Sequence, residues 1–322
     1  TLPASLYAQE GLIAQWDGIE NAAPGVHDPN AATWSNLVAG TSLDWQLVSG
    51  KYRWEDNALH ADRSLSENGW VAKMTGVAFP DYVTFETRVQ PTSGTRTTGQ
   101  FLRLPVRKGN IFLMPPNVSA YLASGQKGAG LGWQLNDIFA VSVVYSGASA
   151  LAGVYKDGVA QTLTTPNYGW PVKNYTGLGG WSDTDTDYVF KGRIYAIRLY
   201  NRALGADEIA FNSNLDRIRF EGADPYALAW PEGYRFSDGA VQVRHTVSAD
   251  VIGTAVSVNG AAEAWCANGA PVTISASVPP CYTFLGWSGD VAGLTNDLAA
   301  ATMTFPATRP RALVALYQAP LH

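Results

Sequence analysis

Residues 166 to 187, PNYGWPVKNYTGLGGWSDTDTD, set Tyr168, Trp170, Tyr175 and Trp181 among Asn, Asp and Gly. Aromatic faces stack on sugar rings while Asn and Asp bond hydroxyls, so this is the composition of a carbohydrate site. It equally suits aromatics folded beneath a long loop. At its end Asp183, Asp185 and Asp187 alternate with threonines as a calcium loop begins, but the sixth position is Tyr188 instead of glycine and the twelfth is Ile194, so this is no EF-hand. With backbone carbonyls the three carboxylates still suit Ca2+; the alternative is an acidic, solvated loop. Asp17, Asn21 and Asp28 are a second calcium candidate.

Other chemistries lack their residues. The four histidines, His27, His60, His245 and His322, are far apart, and no H-E-x-x-H, C-x-x-C or G-x-S-x-G pattern occurs. Glycoside hydrolysis needs two carboxylates flanking one bond. No E-x-D-x-x-E run supplies them, and Glu86, in TFETRV, reads as a lone carboxylate on a solvated strand face. The S-x-D-x-G-x-T-W box of sialidases is absent too. A formal net charge of -5 with 22 scattered Lys and Arg argues against nucleic acid. Cys266 and Cys281 are spaced to close a short loop by a disulfide, the alternative being two free buried thiols.

The elements that must carry these residues read as strands. Short apolar runs recur from Gly11–Trp16 onward; Tyr82–Val89 alternates as a half-solvated strand; and Ile138–Tyr155, broken by Ser142, Ser146, Gly147 and Ser149, suits a hairpin better than a membrane span. Asp157-Gly158 and Asn259-Gly260 are hairpin turns. Phe190–Phe220 reads as strand, corner, short helix and returning strand. The helix is signalled by Gly205 at its N-cap, Asp207 and Glu208 in its first turn, and a Leu204–Ile209 staple. After Phe220 the pattern fades into a Pro- and Gly-rich connection, and alternation resumes at Val241. The expected organisation is therefore 1–222, a linker at 223–239, and a small β domain over 240–318.

The segment F-x-G followed by I-x-x-I-R-L-Y-N-R-A-L-x-x-x-E-I, from Phe190 to Ile209, resembles the closing segment of laminin-G-like (concanavalin A-like) jelly-roll domains. Trp16-Asp17-Gly18 with Asn21, then Trp34-Ser35-Asn36-Leu37, is similar to the opening of bacterial members. The resemblance implies an antiparallel β-sandwich with a small helix plugging one edge, and many such domains bind calcium. The C-terminal part resembles the divergent internalin-B-type repeat through Tyr282-x-Phe284-x-Gly286-Trp287-Ser288-Gly289-Asp290, Met303-x-Phe305 and Val314–Tyr317. That implies a small β-grasp-like spacer or adhesion module.

The expectation is an all-β pair of modules from a secreted or surface-attached bacterial protein. The chain opens at Thr1 without a signal-peptide pattern, read as a mature or trimmed form. The partner is a glycan or cell-surface polysaccharide, bound without catalysis. A glycan hydrolase with carboxylates from separate strands and a purely structural adhesin segment are the alternatives.

Overall fold

The computed structural model describes residues 2–62, 69–74, 81, 83–92, 99–102, 111–114, 117–122, 125–146, 151–164, 177–180 and 189–320. The chain divides into two compact units, one of residues 1–5 and 11–222, the other of residues 6–10 and 223–322.

The first unit is a β-sandwich. Its eight-stranded sheet centres on Gly192–Tyr200, which pairs antiparallel with Thr84–Pro91 along one edge and with Ala58–Ala61 and then Leu12–Asp17 along the other. Phe139–Tyr145 pairs with Thr84–Pro91, and the Leu151–Lys156 strand folds back on it as the expected hairpin. The second sheet has nine strands and ends in the order Gly177–Leu178, Ala72–Lys73, Trp45–Leu47, Thr33–Trp34. Between the sheets lies one apolar core, with Trp16, Phe85, Val141, Ile197 and Leu199 from the first facing Trp34, Trp45, Ala72 and Leu178 from the second. Two of the indoles bury their ring area and still satisfy their N–H groups: Trp16 Nε1 donates to the Leu43 carbonyl at 2.8 Å and Trp34 Nε1 to that of Asp17 at 3.0 Å. Gly192, the glycine of the F-x-G motif, has φ +146°, and a Cβ there would lie 2.1 Å from the Gln90 carbonyl oxygen. Only glycine lets the two central strands approach so closely.

The expected short helix and returning strand are instead one 16-residue helix, Ala206–Glu221. Glu208 accepts from the Gly205 amide at 3.1 Å, and Leu204 and Ile209 are both buried as the staple requires. Gly222 ends it in the left-handed conformation with φ 68°. The buried face of the helix is mixed, with Ile209, Phe211 and Leu215 beside Asn212, Asp216 and Arg219.

The second unit is all-β in its described residues. A five-stranded sheet is built on Ala240–Ala249, which pairs with Glu263–Ala267 on one edge and with Tyr234–Ser237 and then Arg311–Gln318 on the other; Thr283–Gly289 lies beyond Arg311–Gln318. Tyr234–Ser237, inside the stretch read as linker, is therefore a strand. A three-stranded sheet, Val256–Val258, Pro271–Ala276 and Thr302–Pro306, completes the unit.

The expected disulfide is absent, and Cys266 and Cys281 are free thiols. Cys266 sits on the edge strand Glu263–Ala267 opposite Val243, while Cys281 precedes Thr283–Gly289, with two strands between. Three inter-strand spacings of about 4.8 Å make a separation of about 14 Å. A disulfide needs Cα atoms within about 7 Å.

Candidate functional site

The residues singled out as a sugar site, Tyr168, Trp170, Tyr175 and Trp181, lie outside the described residues, as do Asp183, Asp185 and Asp187. The described ends of these stretches are firmly held. Gly180 and Val189, which flank 181–188, are bridged antiparallel, and the Phe190 amide donates to the Gly179 carbonyl at 2.8 Å.

The second calcium candidate does not fit a cation. Asp17 is fully buried against Arg219 at 2.8 Å, and its Oδ1 accepts the Ile19 amide at 2.8 Å. Burial raises its pKa above the ordinary carboxylate range, against the pull of Arg219. The Asn21 side chain is spent on the Asp28 backbone, donating to its carbonyl at 2.8 Å and accepting its N–H at 2.7 Å, while Asp28 Oδ1 accepts the Asn30 amide at 2.8 Å. Among the described residues no cluster of three His, Cys, Asp or Glu side chains is placed to hold a metal.

Glu86 is not solvated. It is 1% exposed, and the Thr84–Pro91 strand is covered on both faces because the helix packs over its outer one. Ser142, Glu86, Arg198 and Gln15 stand opposite one another on four adjacent strands and form one row across the outer face of the first sheet. Arg198 Nε meets Glu86 at 3.0 Å, and its two terminal nitrogens grip Asp216 of the helix at 2.9 Å each. Ser142 Oγ donates to Glu86 at 3.0 Å and Asn212 Nδ2 at 2.8 Å. Burial raises the pKa of Glu86, with Arg198 opposing. Farther along the same face, Arg193 meets Glu55 at 2.8 Å and Asp56 at 3.2 Å, and His60 Nδ1 meets Glu55 at 2.6 Å. Partial burial works to raise the Glu55 pKa, but hydrogen bonds from His60, Arg53 and Arg193 win and lower it to about 2. Each of these charges has a partner, and the Glu86–Arg198 part of the face fastens the helix.

The outer face of the second sheet is different. Thr33 pairs with Gln46, Gln46 with Lys73, and Lys73 with Gly177, so four strands contribute one row on the side opposite the core residues Trp45, Ala72 and Leu178. Gln46 and Lys73 are exposed and Thr33 is partly so. At the end of the row the indole of Trp70 lies against Gly177: a Cβ there would fall 2.0 Å from Trp70 Cδ2. Trp70 Nε1 donates to the Gly180 carbonyl at 3.0 Å, which fixes the ring in its plane. The partly buried Trp70 therefore touches Gly177 and Gly180, the described residues that border the stretches carrying the sequence-predicted aromatics. The row spans three inter-strand spacings, about 14 Å, with a hydroxyl, an amide and an ammonium beside an immobilised aromatic. Such a surface offers hydrogen bonds to hydroxyl groups and apolar area to a ring. Nothing in the sequence singled out Trp70, Gln46 or Lys73, because only the register of four strands aligns them.

No family model and no curated protein matches the chain. Among solved structures it is similar to Trypanosoma rangeli sialidase in complex with sialic acid, at 17% identity and a TM-score of 0.43, over 65% of this chain and 33% of that one. It is also similar to the Ruminococcus gnavus IT-sialidase CBM40 bound to alpha2,3 sialyllactose, at 10% identity and a TM-score of 0.31, over 41% of this chain and 83% of that one. The chain spans about a third of the length of the sialidase it matches.

Proposed function

We propose that the sandwich is a non-catalytic glycan-binding module whose ligand lies across the open face of the second sheet, along Thr33, Gln46 and Lys73, with a sugar ring against Trp70. The observation that carries this reading is the row itself: exposed hydrogen-bonding side chains in one register, ending at an indole locked against a glycine. The aromatics Tyr168, Trp170, Tyr175 and Trp181, continuous in sequence with the Trp70–Gly177 platform, supply further stacking area in the same proposal. No carboxylate stands in the row, which favours binding over hydrolysis, since glycosidic cleavage uses a carboxylate pair. The laminin-G-like and internalin-B-type resemblances belong with this reading, as a bacterial surface or secreted protein that holds polysaccharide through its first module and uses its second as a spacer. Among the described residues no helix is long and apolar enough to cross a membrane.

A glycan array probed with the chain, followed by a reducing-sugar assay on the hits, separates the outcomes. Binding without release of reducing ends, weakened by Trp70→Ala, is expected. A blank array, or hits that Trp70→Ala leaves unchanged, removes the site from this face, and release of reducing ends makes the protein a hydrolase. Repeating the array in EDTA tests the calcium expectation at Asp183, Asp185 and Asp187.

A further inference from the structure

Resting on the glycan-binding reading, we infer that the sugar held across the open row is acidic, and that its carboxylate or sulfate is received by Lys73. Among the described residues Lys73 is the only charged residue of the row, and it stands between Gln46 on one strand and Gly177, under the Trp70 ring, on the other. Each neighbour is one strand spacing away, about 4.8 Å. A sugar ring lying against Trp70 is thus about one strand spacing from the Lys73 backbone, within reach of its long side chain.

Lys73 is exposed and, among the described residues, meets no carboxylate, whereas Arg53, Arg88, Arg193, Arg198 and Arg219 of the same unit each do. The carboxylate nearest in sequence to the row is Asp44, just before the Trp45–Leu47 strand, and its Oδ1 accepts the Asn36 backbone N–H at 2.8 Å. A ligand covering the row strips water from the ammonium. A neutral sugar returns only hydroxyl contacts for that loss, while an anionic one returns a charge-assisted hydrogen bond. The ammonium is a point charge with rotatable donors, so it accepts carboxylate and sulfate alike, where an arginine fork would favour one planar partner. The formal charge of the whole chain is -5, so a polyanion is not drawn to this protein by its overall field. Attachment of an acidic glycan must then be local to the row.

Affinity electrophoresis of the full chain through matched gels tests this. The probes are polygalacturonate against its methyl ester, for carboxylate, and dextran sulfate against dextran, for sulfate. Retardation by one acidic member and not by its neutral counterpart is expected, and the pair that responds identifies the acid. Lys73→Gln should weaken that retardation about tenfold, the size of one charge-assisted contact. Lys73→Arg should keep most of it, and raising salt from about 0.05 to 0.5 M should weaken it in the parent. Equal retardation by the charged and neutral members, or a Lys73→Gln chain that runs like the parent, overturns the acidic assignment and leaves glycan binding standing. Retardation by none of the four also overturns it, and if the wider array is blank as well the glycan reading falls with it.

Discussion

The two outer faces of the sandwich carry the same device and use it in opposite ways. On the first sheet four strands align Ser142, Glu86, Arg198 and Gln15, and on the second four strands align Thr33, Gln46, Lys73 and Gly177. The first row is roofed by the helix, which contributes Asp216 and Asn212, and every polar group in it is bonded within the protein. The second keeps its polar groups in water. A polar row on a sheet face is thus not a functional signal by itself; what distinguishes the two is whether the chain supplies its own partner.

Breaking the closed row has the largest expected effect. Arg198→Leu leaves Glu86 and Asp216 buried without their cation, and a buried pair broken on one side costs about 3–5 kcal/mol. Urea unfolding should show that loss, and a change under about 1 kcal/mol would mean the row does not hold the helix down. Glycan affinity in whatever protein remains folded should match the parent.

A buried polar group with no partner at all is the next test, and the second unit holds one. His245 is buried with neither ring nitrogen hydrogen-bonded, packed edge-on to Phe305 and close to Arg311. Burial, then the Arg311 charge, lowers its pKa to about 4. Because the folded value lies below the unfolded value of about 6.5, the stability it contributes is complete above that pH. It is lost as pH falls from about 6.5 towards 4, by about 3 kcal/mol at most. Melting of the second unit followed across that window should decline in the parent and stay flatter in His245→Phe.

The open row should respond in binding more than in stability. Gly177→Ala drives a methyl into the Trp70 ring and is expected to cost about 1–3 kcal/mol, with the glycan affinity falling as the indole tilts away. Trp70→Ala removes a stacked ring worth roughly 0.5–1.5 kcal/mol beyond its area, so affinity should fall by about two- to tenfold. If Trp70→Ala instead unfolds the sandwich as Arg198→Leu does, the two faces are equivalent after all and the second is structural.

Period-two alternation and the Asp157-Gly158 turn made the sandwich legible, and the Gly205, Glu208, Leu204 and Ile209 signals marked where the helix begins. Its length was hidden, because an amphipathic helix is recognised by an apolar stripe. This one buries Asn212, Asp216 and Arg219 beside Phe211 and Leu215, so its apolar stripe is interrupted by polar side chains. Glu86 was misread because its cation and its amide partner lie 112 and 126 residues away. The Cys266–Cys281 proximity in sequence became opposite sides of a sheet. Trp70 and Lys73 are unremarkable singly and acquire meaning only from strand register, which short strands do not declare in advance.

The clustering of Leu6–Glu10 with the second unit bears on the order in which the protein is made. Glu10 pairs with Arg309, 299 residues later, and with Arg311 at 3.2 Å; the same arginines bind Asp290 and the Ala292 carbonyl, and Asn268 Nδ2 bonds the Leu6 carbonyl at 2.8 Å. During synthesis Leu6–Glu10 must wait, uncommitted, until Arg309, 299 residues after Glu10, has followed. Contacts of such separation form late and slow the final step. The sandwich has its own strands in hand about 100 residues earlier, so assembly is expected to proceed in two stages, the last of them closed by a segment translated ahead of the sandwich strands.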